Sequence, residues 1–362
     1  MRRSRQQRDR VTIQDVAQRA GVSAMTVSNV VNRTGKVGES TRARVGAIIE
    51  EMGYVPSQAA RHLVGAAPAR IGLIYLDIES MFLSLAHGEV SAAAAEKGLQ
   101  LMVRRAADAT PDTAVAVAQS LVRSGADALL LIPPFAELLT GAPAFRALAV
   151  PSAAIATAGT LPDMATVRID NHAAGRAVTE LLIARGYRRI AILTGPAGHS
   201  DSVARLEGYK AALAGHDIPF QSALCAEGRF SFETGLIAAD TLLDLDPRPD
   251  AIMAANDDMA AAALWAAHRR GLVPPRDLAV TGFDDTLVAT RVWPALTTVR
   301  QPIKDMANRA IDLLIEALGK QPAAGMAAGT AVAMAAGTAP AKAPRDVVLD
   351  FTLVERGSVR PV

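Results

Sequence analysis

Cysteine is nearly absent. Cys225 stands alone among 362 residues, which excludes an internal disulfide and fits a reducing compartment; by itself it reads as a small buried hydrophobe. Long apolar runs are missing too. The chain is 50% apolar, yet no run reaches the roughly 18 residues of a membrane span, so no membrane partner is expected. The start, Met1-Arg2-Arg3-Ser4-Arg5, is basic but leads into polar residues, unlike a secretory signal, and the expected location is cytoplasmic. Catalytic punctuation is also lacking. There is no G-x-S-x-G, G-x-G-x-x-G, Walker or H-E-x-x-H motif, so no catalytic residue, cofactor or metal is expected. Gly198-His199-Ser200-Asp201-Ser202 lacks a second glycine, and His, Ser and Asp as immediate neighbours cannot align as a triad. No heptad helix closes the chain, which argues against tetramerisation through a coiled coil.

What is present begins with helical signals. Thr12 can cap a first helix, Asp15 meets the dipole at its third position, and Ile13, Val16, Ala17 and Ala20 form an i, i+3, i+4, i+7 stripe. Gly21 follows, where a sharp turn wants a residue free to take positive φ. Ser23 then caps a second, short helix. Val27, Val30 and Val31 share one side of it, whereas Met25 and Asn29, with Ser28 beside them, point the other way. A narrow apolar back with small or polar residues in front suits a groove better than a core. A third helix starts at Ser40 or Thr41, turns Val45, Ile48, Ile49 and Met52 inward and stops at Gly53; Gly46 in its middle weakens it by roughly 1 kcal/mol against alanine. Ser57 to Val64 is too short to be a stable helix alone. Helix, glycine turn and short helix together are the helix-turn-helix signature.

The residues here carry a resemblance. Val11-Thr12-Ile13-Gln14-Asp15-Val16-Ala17, Ala20-Gly21-Val22-Ser23, Thr26-Val27-Ser28, Val31-Asn32, Thr41-Arg42, Gly53-Tyr54-Val55-Pro56 and Ala60-Arg61-x-Leu63 resemble the headpiece of the lactose-repressor (LacI/GalR) family, without a gap. The bland alternative is a chance amphipathic helix pair. Charge separates the two. Met1 to His62 holds eleven basic and five acidic residues, a net +6, and the whole chain's +2 then leaves −4 for the remainder. A basic helix-turn-helix on an acidic remainder points to a polyanion partner for the first part only.

Gly65 to Arg70 reads as a linker. Beyond it, short apolar runs alternate with longer helical stretches. The strands predicted are Ile71–Leu76, Leu99–Arg104, Ala128–Ile132, Ser152–Ala156, Ile190–Leu193, Ala251–Ala254 and Leu278–Thr281. The helices predicted lie near Phe82–Lys97, Thr113–Ser124, Asn171–Arg185, Ser202–Ala214, Ser231–Asp244, Met259–Arg270 and Ile303–Leu318, with Gly98, Gly125, Gly186, Gly215 and Gly271 ending several. Alternating β and α with continuously apolar strands means parallel sheets covered on both faces, and the number of units asks for two Rossmann-like lobes. The change of lobe is expected near Asp170, with return crossings near Pro294 and before Asp346. Gln321 to Pro344, mostly Ala, Gly and Pro, reads as a flexible insertion, and Val347 to Ser358 as an edge strand. The expected fold class is α/β: an N-terminal three-helix helix-turn-helix headpiece (1–56), a hinge helix and linker (57–70), then a two-lobed, periplasmic-binding-protein-like core of parallel sheets (71–362).

Ligands in parallel sheets sit beyond the carboxyl ends of strands. Those ends lead into Asp77, into the polar loop Thr194 to Ser202 with Arg205 on the next helix, into Ala255-Asn256-Asp257-Asp258 and into Gly282-Phe283-Asp284-Asp285; Phe230 follows a strand near Cys225. One arginine, one asparagine, several carboxylates and an aromatic face are what a polyhydroxylated ring needs. The resemblance extends here. Ala204-Arg205-Leu206-Glu207-Gly208-Tyr209, Ala255-Asn256-Asp257-x-Met259-Ala260 and Gly282-Phe283-Asp284-Asp285 are similar to the family's effector motifs, which implies effector contact by Arg205, Asn256 and Asp284 with Phe230 stacking. Ala156 replaces an aspartate of some sugar-responsive members, and Ser80-Met81 an Asn-Pro, so the effector's identity stays open.

The expected function is a sequence-specific DNA-binding transcriptional regulator of carbohydrate-utilisation genes, expected as a repressor, controlled allosterically by a sugar or sugar-derived acid bound between the core lobes and working as a homodimer on a near-palindromic operator. Ala24, Met25 and Asn29 are the expected base readers. Thr12, Ser23, Thr26, Ser28, Arg33, Arg42 and Arg61 are the expected backbone contacts, and Ala60 and Leu63 the minor-groove hinge. The rival readings are a sugar-binding protein, or an α/β enzyme with an appended DNA-binding domain. A magnesium site at Asp257, Asp258, Asp284 and Asp285 is a weaker alternative.

Overall fold

A computed structural model describes residues 11–31, 37–52, 68–76, 80–320 and 345–361. The basic arm before Val11, Arg33, the hinge segment with Ala60, Arg61 and Leu63, Asp77 and the insertion 321–344 lie outside the described residues.

Three helices open the chain: α1 (Ile13–Ala20), α2 (Ala24–Val31) and α3 (Glu39–Met52). Their ends follow the local chemistry. Thr12 Oγ1 accepts the Asp15 N–H at 3.3 Å while the Asp15 carboxylate accepts the Thr12 N–H at 2.8 Å, a reciprocal capping box. Gly21 takes φ +64° between α1 and α2, a turn that an L side chain disfavours. Ser23 Oγ accepts the Thr26 N–H at 3.1 Å and so caps α2. Val16, Ala17, Ala20, Val27 and Val45 close a small core, and Ile48, Ile49 and Met52 pack against it half-buried. Gly46 meets no neighbour, so packing does not demand glycine inside α3.

The remainder forms two parallel sheets. The first has six strands in the order β11-β5-β4-β3-β1-β2: β1 (Arg70–Leu76), β2 (Gln100–Ala106), β3 (Ala128–Leu131), β4 (Ser152–Ile155), β5 (Ala165–Arg168) and β11 (Asp346–Val348). Its helices are α4 (Met81–Glu96), α5 (Pro111–Arg123), α6 (Phe135–Leu139), α7 (Pro143–Arg146) and, packed on α4 and β4, α13 (Ile303–Lys320). The second has four strands in the order β7-β6-β8-β9: β6 (Ile190–Thr194), β7 (Cys225–Glu227), β8 (Ala251–Ala254) and β9 (Ala279–Thr281). It carries α8 (Asn171–Ala184), α9 (Ser200–Gly215), α10 (Phe232–Leu243), α11 (Asp257–Arg269) and α12 (Leu287–Arg291). Both sheets reverse order at their first strand, and each reversal opens a crevice at the strands' carboxyl ends. The strands β3, β6 and β8 are buried throughout, as sheets covered on both faces require.

The two-lobed expectation holds, with corrections. The first change of lobe falls between β5 and α8, at Asp170. The return does not fall at Pro294: β10 (Thr298–Arg300) still lies beside the second lobe, with bridges Thr281 to Thr297 and Asp284 to Arg300, and only α13 crosses over. The last crossing follows β11 instead of preceding Asp346. The expected single edge strand is two: β11 pairs parallel with β5, and β12 (Thr352–Val354) pairs antiparallel with β10. Arg168 clamps Asp346 with Nε and Nη2 at 3.0 and 2.9 Å, which holds β11 on the first sheet. Gly215 does not end its helix; α9 includes it, and Asp217 takes the left-handed conformation at φ +56°. The strand β5 and the short helices α6, α7 and α12 had no counterpart in the expectation.

Candidate functional site

Two faces carry polar side chains whose placement the core does not explain. One is the front of α2. Val27 is fully buried, whereas Met25, two residues earlier and so on the opposite side of the helix, is 69% exposed. Ala24, Thr26, Ser28 and Asn29 are half-buried around it, and Arg42 is half-buried on α3. Thr12 and Ser23, expected to meet a DNA backbone, also serve as the caps of α1 and α2.

The other is centred on Arg205, which is buried on α9. Its Nε donates to Asn171 Oδ1 at 2.8 Å, and its Nη1 to the Ala255 carbonyl at 2.5 Å. Nη2 stands 3.9 Å from Asp284 Oδ1. The guanidinium lies over the Phe283 ring at 3.6 Å, with the Phe230 ring 6.0 Å away. The elements force this convergence. Gly175 on α8 and Gly208 on α9 let the two helices touch backbone to backbone: a Cβ would stand 2.5 Å from the Arg205 carbonyl in one case and 2.1 Å from the His172 carbonyl in the other. Gly195 leaves room for the Phe230 ring, which a Cβ there would strike at 2.2 Å.

The sequence-predicted residues Arg205, Phe230, Asn256 and Asp284 therefore come together. Asn256 does so with its side chain already engaged. Its Oδ1 caps α11 by accepting the Met259 N–H at 2.9 Å, and its Nδ2 donates to the Phe230 carbonyl at 3.0 Å. Asp284, at φ +101°, accepts from Gln301 Nε2 at 2.7 Å. Burial raises its pKa, opposed by the Arg205 charge and the Gln301 hydrogen bond.

The carboxylates of the suspected magnesium group diverge. Asp257 accepts from the Thr286 N–H and hydroxyl and from the Thr298 hydroxyl, at 2.7, 3.1 and 2.7 Å, which ties α11 to the loop carrying Asp284. Burial, then the Asp284 charge, pushes its pKa up to about 8. Asp285 pairs with Arg300 and Arg356, each at 2.6 Å. Among the described residues no three metal-ligating side chains converge.

His199, Ser200 and Asp201 part company as their adjacency requires. The His199 ring stands edge-on to Phe230 at 5.1 Å, and burial followed by the Arg205 charge lowers its pKa to about 4, so it is neutral. Asp201 accepts from Asn171 Nδ2 at 3.1 Å, with its pKa raised to about 7 by burial.

Ser200 donates to Glu137 Oε1 at 2.6 Å, a contact from the second lobe to the first. Its counterpart runs the other way: the Met81 N–H on α4 points at Asp258 Oδ2 at 3.4 Å. Burial raises the pKa of both carboxylates, that of Asp258 to about 6. Sequence reasoning missed Glu137, Asn171 and Gln301. Glu137 follows β3 and could have been found by the strand-end rule; Asn171 and Gln301 carry no local signal.

Residues 12–57 match the family described as bacterial regulatory proteins, lacI family, and residues 179–359 match the periplasmic binding protein-like domain. The HTH-type transcriptional regulator DegA of Bacillus subtilis (strain 168) is 34% identical over 275 residues, covering 74% of this chain and 80% of the relative. The HTH-type transcriptional regulator AscG of Escherichia coli (strain K12) is 33% identical over 270 residues, with the same two coverages of 74% and 80%. Among solved structures, a transcriptional regulator CelR–cellobiose complex superposes with a TM-score of 0.67 at 28% identity, covering 96% of this chain and 100% of that one. The lac repressor dimer bound to operator and the anti-inducer ONPF gives 0.68 at 26% identity, covering 96% and 99%. Among the described residues no helix is long and apolar enough to cross a membrane.

Proposed function

The chain belongs to the LacI family of bacterial regulatory proteins, and from that premise we propose that it binds a near-palindromic operator as a homodimer and is controlled by a carbohydrate held between its two lobes. It is a transcriptional regulator, as its relatives are, and its place of work is the nucleoid. The division of labour is a DNA-binding headpiece to residue 56, a hinge and linker to 70, and an effector-binding and dimerising core beyond. The observation that carries the reading is the union, in one chain, of an exposed α2 front with an arginine-centred polar cluster at the carboxyl ends of parallel strands.

Ala24, Met25 and Asn29 read bases; Asn29 suits adenine, and Met25 and Ala24 suit thymine methyls. Thr12, Ser23, Thr26, Ser28, Arg33, Arg42 and Arg61 contact the backbone, and Leu63 with Ala60 enters the minor groove. In the core, Arg205, Asp284 and Asp77 hold hydroxyls and Phe230 covers the apolar face of the ring. Asn256 acts at one remove, since its side chain holds the Phe230 backbone. The surface for a second copy is on α10, α11 and α12 and just beyond, where Ile237, Trp265, Leu287 and Trp293 are exposed. The effector acts only through unequal affinity for two lobe arrangements.

Selection of duplexes from a random pool tests the reading. The expected product is an inverted repeat, and Asn29→Ala is expected to lose about 1–3 kcal/mol at the adenine-bearing positions. Recovery of no symmetric site, or unchanged binding by Asn29→Ala, contradicts it.

A further inference from the structure

The charges around the cleft are unequally matched. Among the described residues the guanidiniums of Arg168, Arg205, Arg300 and Arg356 each have a carboxylate within the chain. Arg205 faces Asp284 at 3.9 Å and commits Nε and Nη1 elsewhere. Arg168 holds Asp346, and Arg300 and Arg356 share Asp285. Three carboxylates have no such match. Among the described residues Glu137 accepts from the Ser200 hydroxyl, Asp258 from the Met81 N–H and Asp201 from the Asn171 amide, and none is ion-paired. They come from both lobes, and Glu137 keeps a second buried oxygen, Oε2, with no hydrogen-bond partner. Lys304 does not offset them: it is exposed on an open hollow of about 270 Å³ that it lines together with Arg300 and three carboxylates, Glu89, Asp284 and Asp285, so the acids outnumber the cations there too.

We infer that the effector is an uncharged, hydroxyl-rich molecule, and that this surplus of unmatched carboxylates excludes its carboxylated and phosphorylated analogues. The inference rests on the carbohydrate reading above and narrows it. Hydroxyl groups donate to oxygens that lack donors, whereas an anion brings further acceptors and a like charge. In a cleft shielded from salt that repulsion is weakly screened. Holding an acid would take a cation whose charge is not already matched, and Arg205 is matched on its edge by Asp284 and on its face by Phe283. Burial raises the pKa of all three, to about 7 for Asp201 and about 6 for Asp258, so the charge of those two is developed at pH 8.

Isothermal titration of the full chain at pH 8 with matched sugars tests this. The probes are D-glucose against D-glucuronate and glucose 6-phosphate, D-galactose against D-galacturonate, D-ribose against ribose 5-phosphate, and cellobiose against cellobionate. The neutral member of a pair is expected to bind, with the matched anion weaker by roughly tenfold or more. That gap should narrow in Glu137→Gln, which keeps an acceptor for Ser200 and removes the charge, and in Asp258→Asn. An anion that binds as tightly as its neutral partner overturns the inference and leaves the carbohydrate reading intact. So does a gap that neither variant narrows. Silence from every sugar, neutral or charged, overturns the carbohydrate reading itself.

Discussion

The headpiece and the core display their functional side chains in opposite ways. On α2 the side chains proposed to read bases stand in front of a helix whose back alone is packed: Met25 is 69% exposed while Val27 is fully buried. In the core the corresponding residues are built into the packing. Arg205 and Asp284 are each 4% exposed, and Arg205 is hydrogen-bonded to α8 and to the turn that follows β8. The difference teaches where function and stability share atoms. A groove reader can change specificity without touching its fold, whereas a cleft residue cannot be removed without loosening the frame around the ligand.

The largest expected effect follows from that contrast. Arg205→Ala leaves Asp284 buried without the cation that offsets it, and takes from Asp201, which among the described residues has no ion pair of its own, the larger of two cationic influences, the other being Arg168. A loss of about 3–5 kcal/mol in core stability is expected, together with loss of effector response. Met25→Ala should move stability by less than about 0.5 kcal/mol. Urea unfolding of both variants makes the comparison, and an Arg205→Ala as stable as the parent would erase it.

A smaller effect concerns pH. The native pKa values of Asp201 and Asp257 are raised, to about 7 and about 8. Each therefore contributes stability that is complete below the unfolded value near 3.8 and is lost as pH rises through the native value. The core's melting temperature should fall from pH 6 to pH 8.5. Asp201→Asn, which keeps an acceptor for Asn171, should flatten the fall. The headpiece should not follow: the Asp15 pKa is lowered by its hydrogen bonds with Thr12, so that contribution is lost only as pH drops toward the acid range. A core whose melting is level from pH 6 to 8.5 would contradict the assignment.

The smallest effect lies in α3. Gly46 has open space around its missing Cβ. Gly46→Ala should stabilise the headpiece by roughly 0.5–1 kcal/mol and leave the core transition where it was. Two-transition calorimetry reads both at once.

The same contrast explains what the sequence disclosed. The headpiece is governed by contacts three or four residues apart, so the Thr12–Asp15 box, the Ser23 cap and the Gly21 turn were all legible. The apolar strands β1, β3, β6 and β8 were legible for a similar reason, since burial on both faces leaves an unbroken apolar run. The strand β10, three residues long, presents no run to see, and β11 was merged with β12 because only their partners, β5 and β10, tell them apart. In the site, Arg205, Asn256 and Asp284 were found through short motifs at strand ends. Asn171, 34 residues from Arg205, and Glu137, 63 from Ser200, entered only when the chain was folded. A pair of that kind leaves no spacing to recognise.

If the proposed division of labour holds, DNA affinity resides in the basic headpiece and the core governs it without binding DNA. The headpiece core contains only residues of the first three helices, and the core's apolar clusters contain none of them, so the two parts can be compared separately. A salt titration of operator binding does so most directly, with the full chain set beside a fragment starting at Arg70. Each phosphate neutralised contributes about −0.9 to the slope of log K against log salt, so two headpieces with a few contacts each should give the full chain a slope on the order of −5 to −10. The fragment, drawn from the net acidic part of the chain, should show no measurable binding. A fragment that binds the operator with a similar slope would contradict the account.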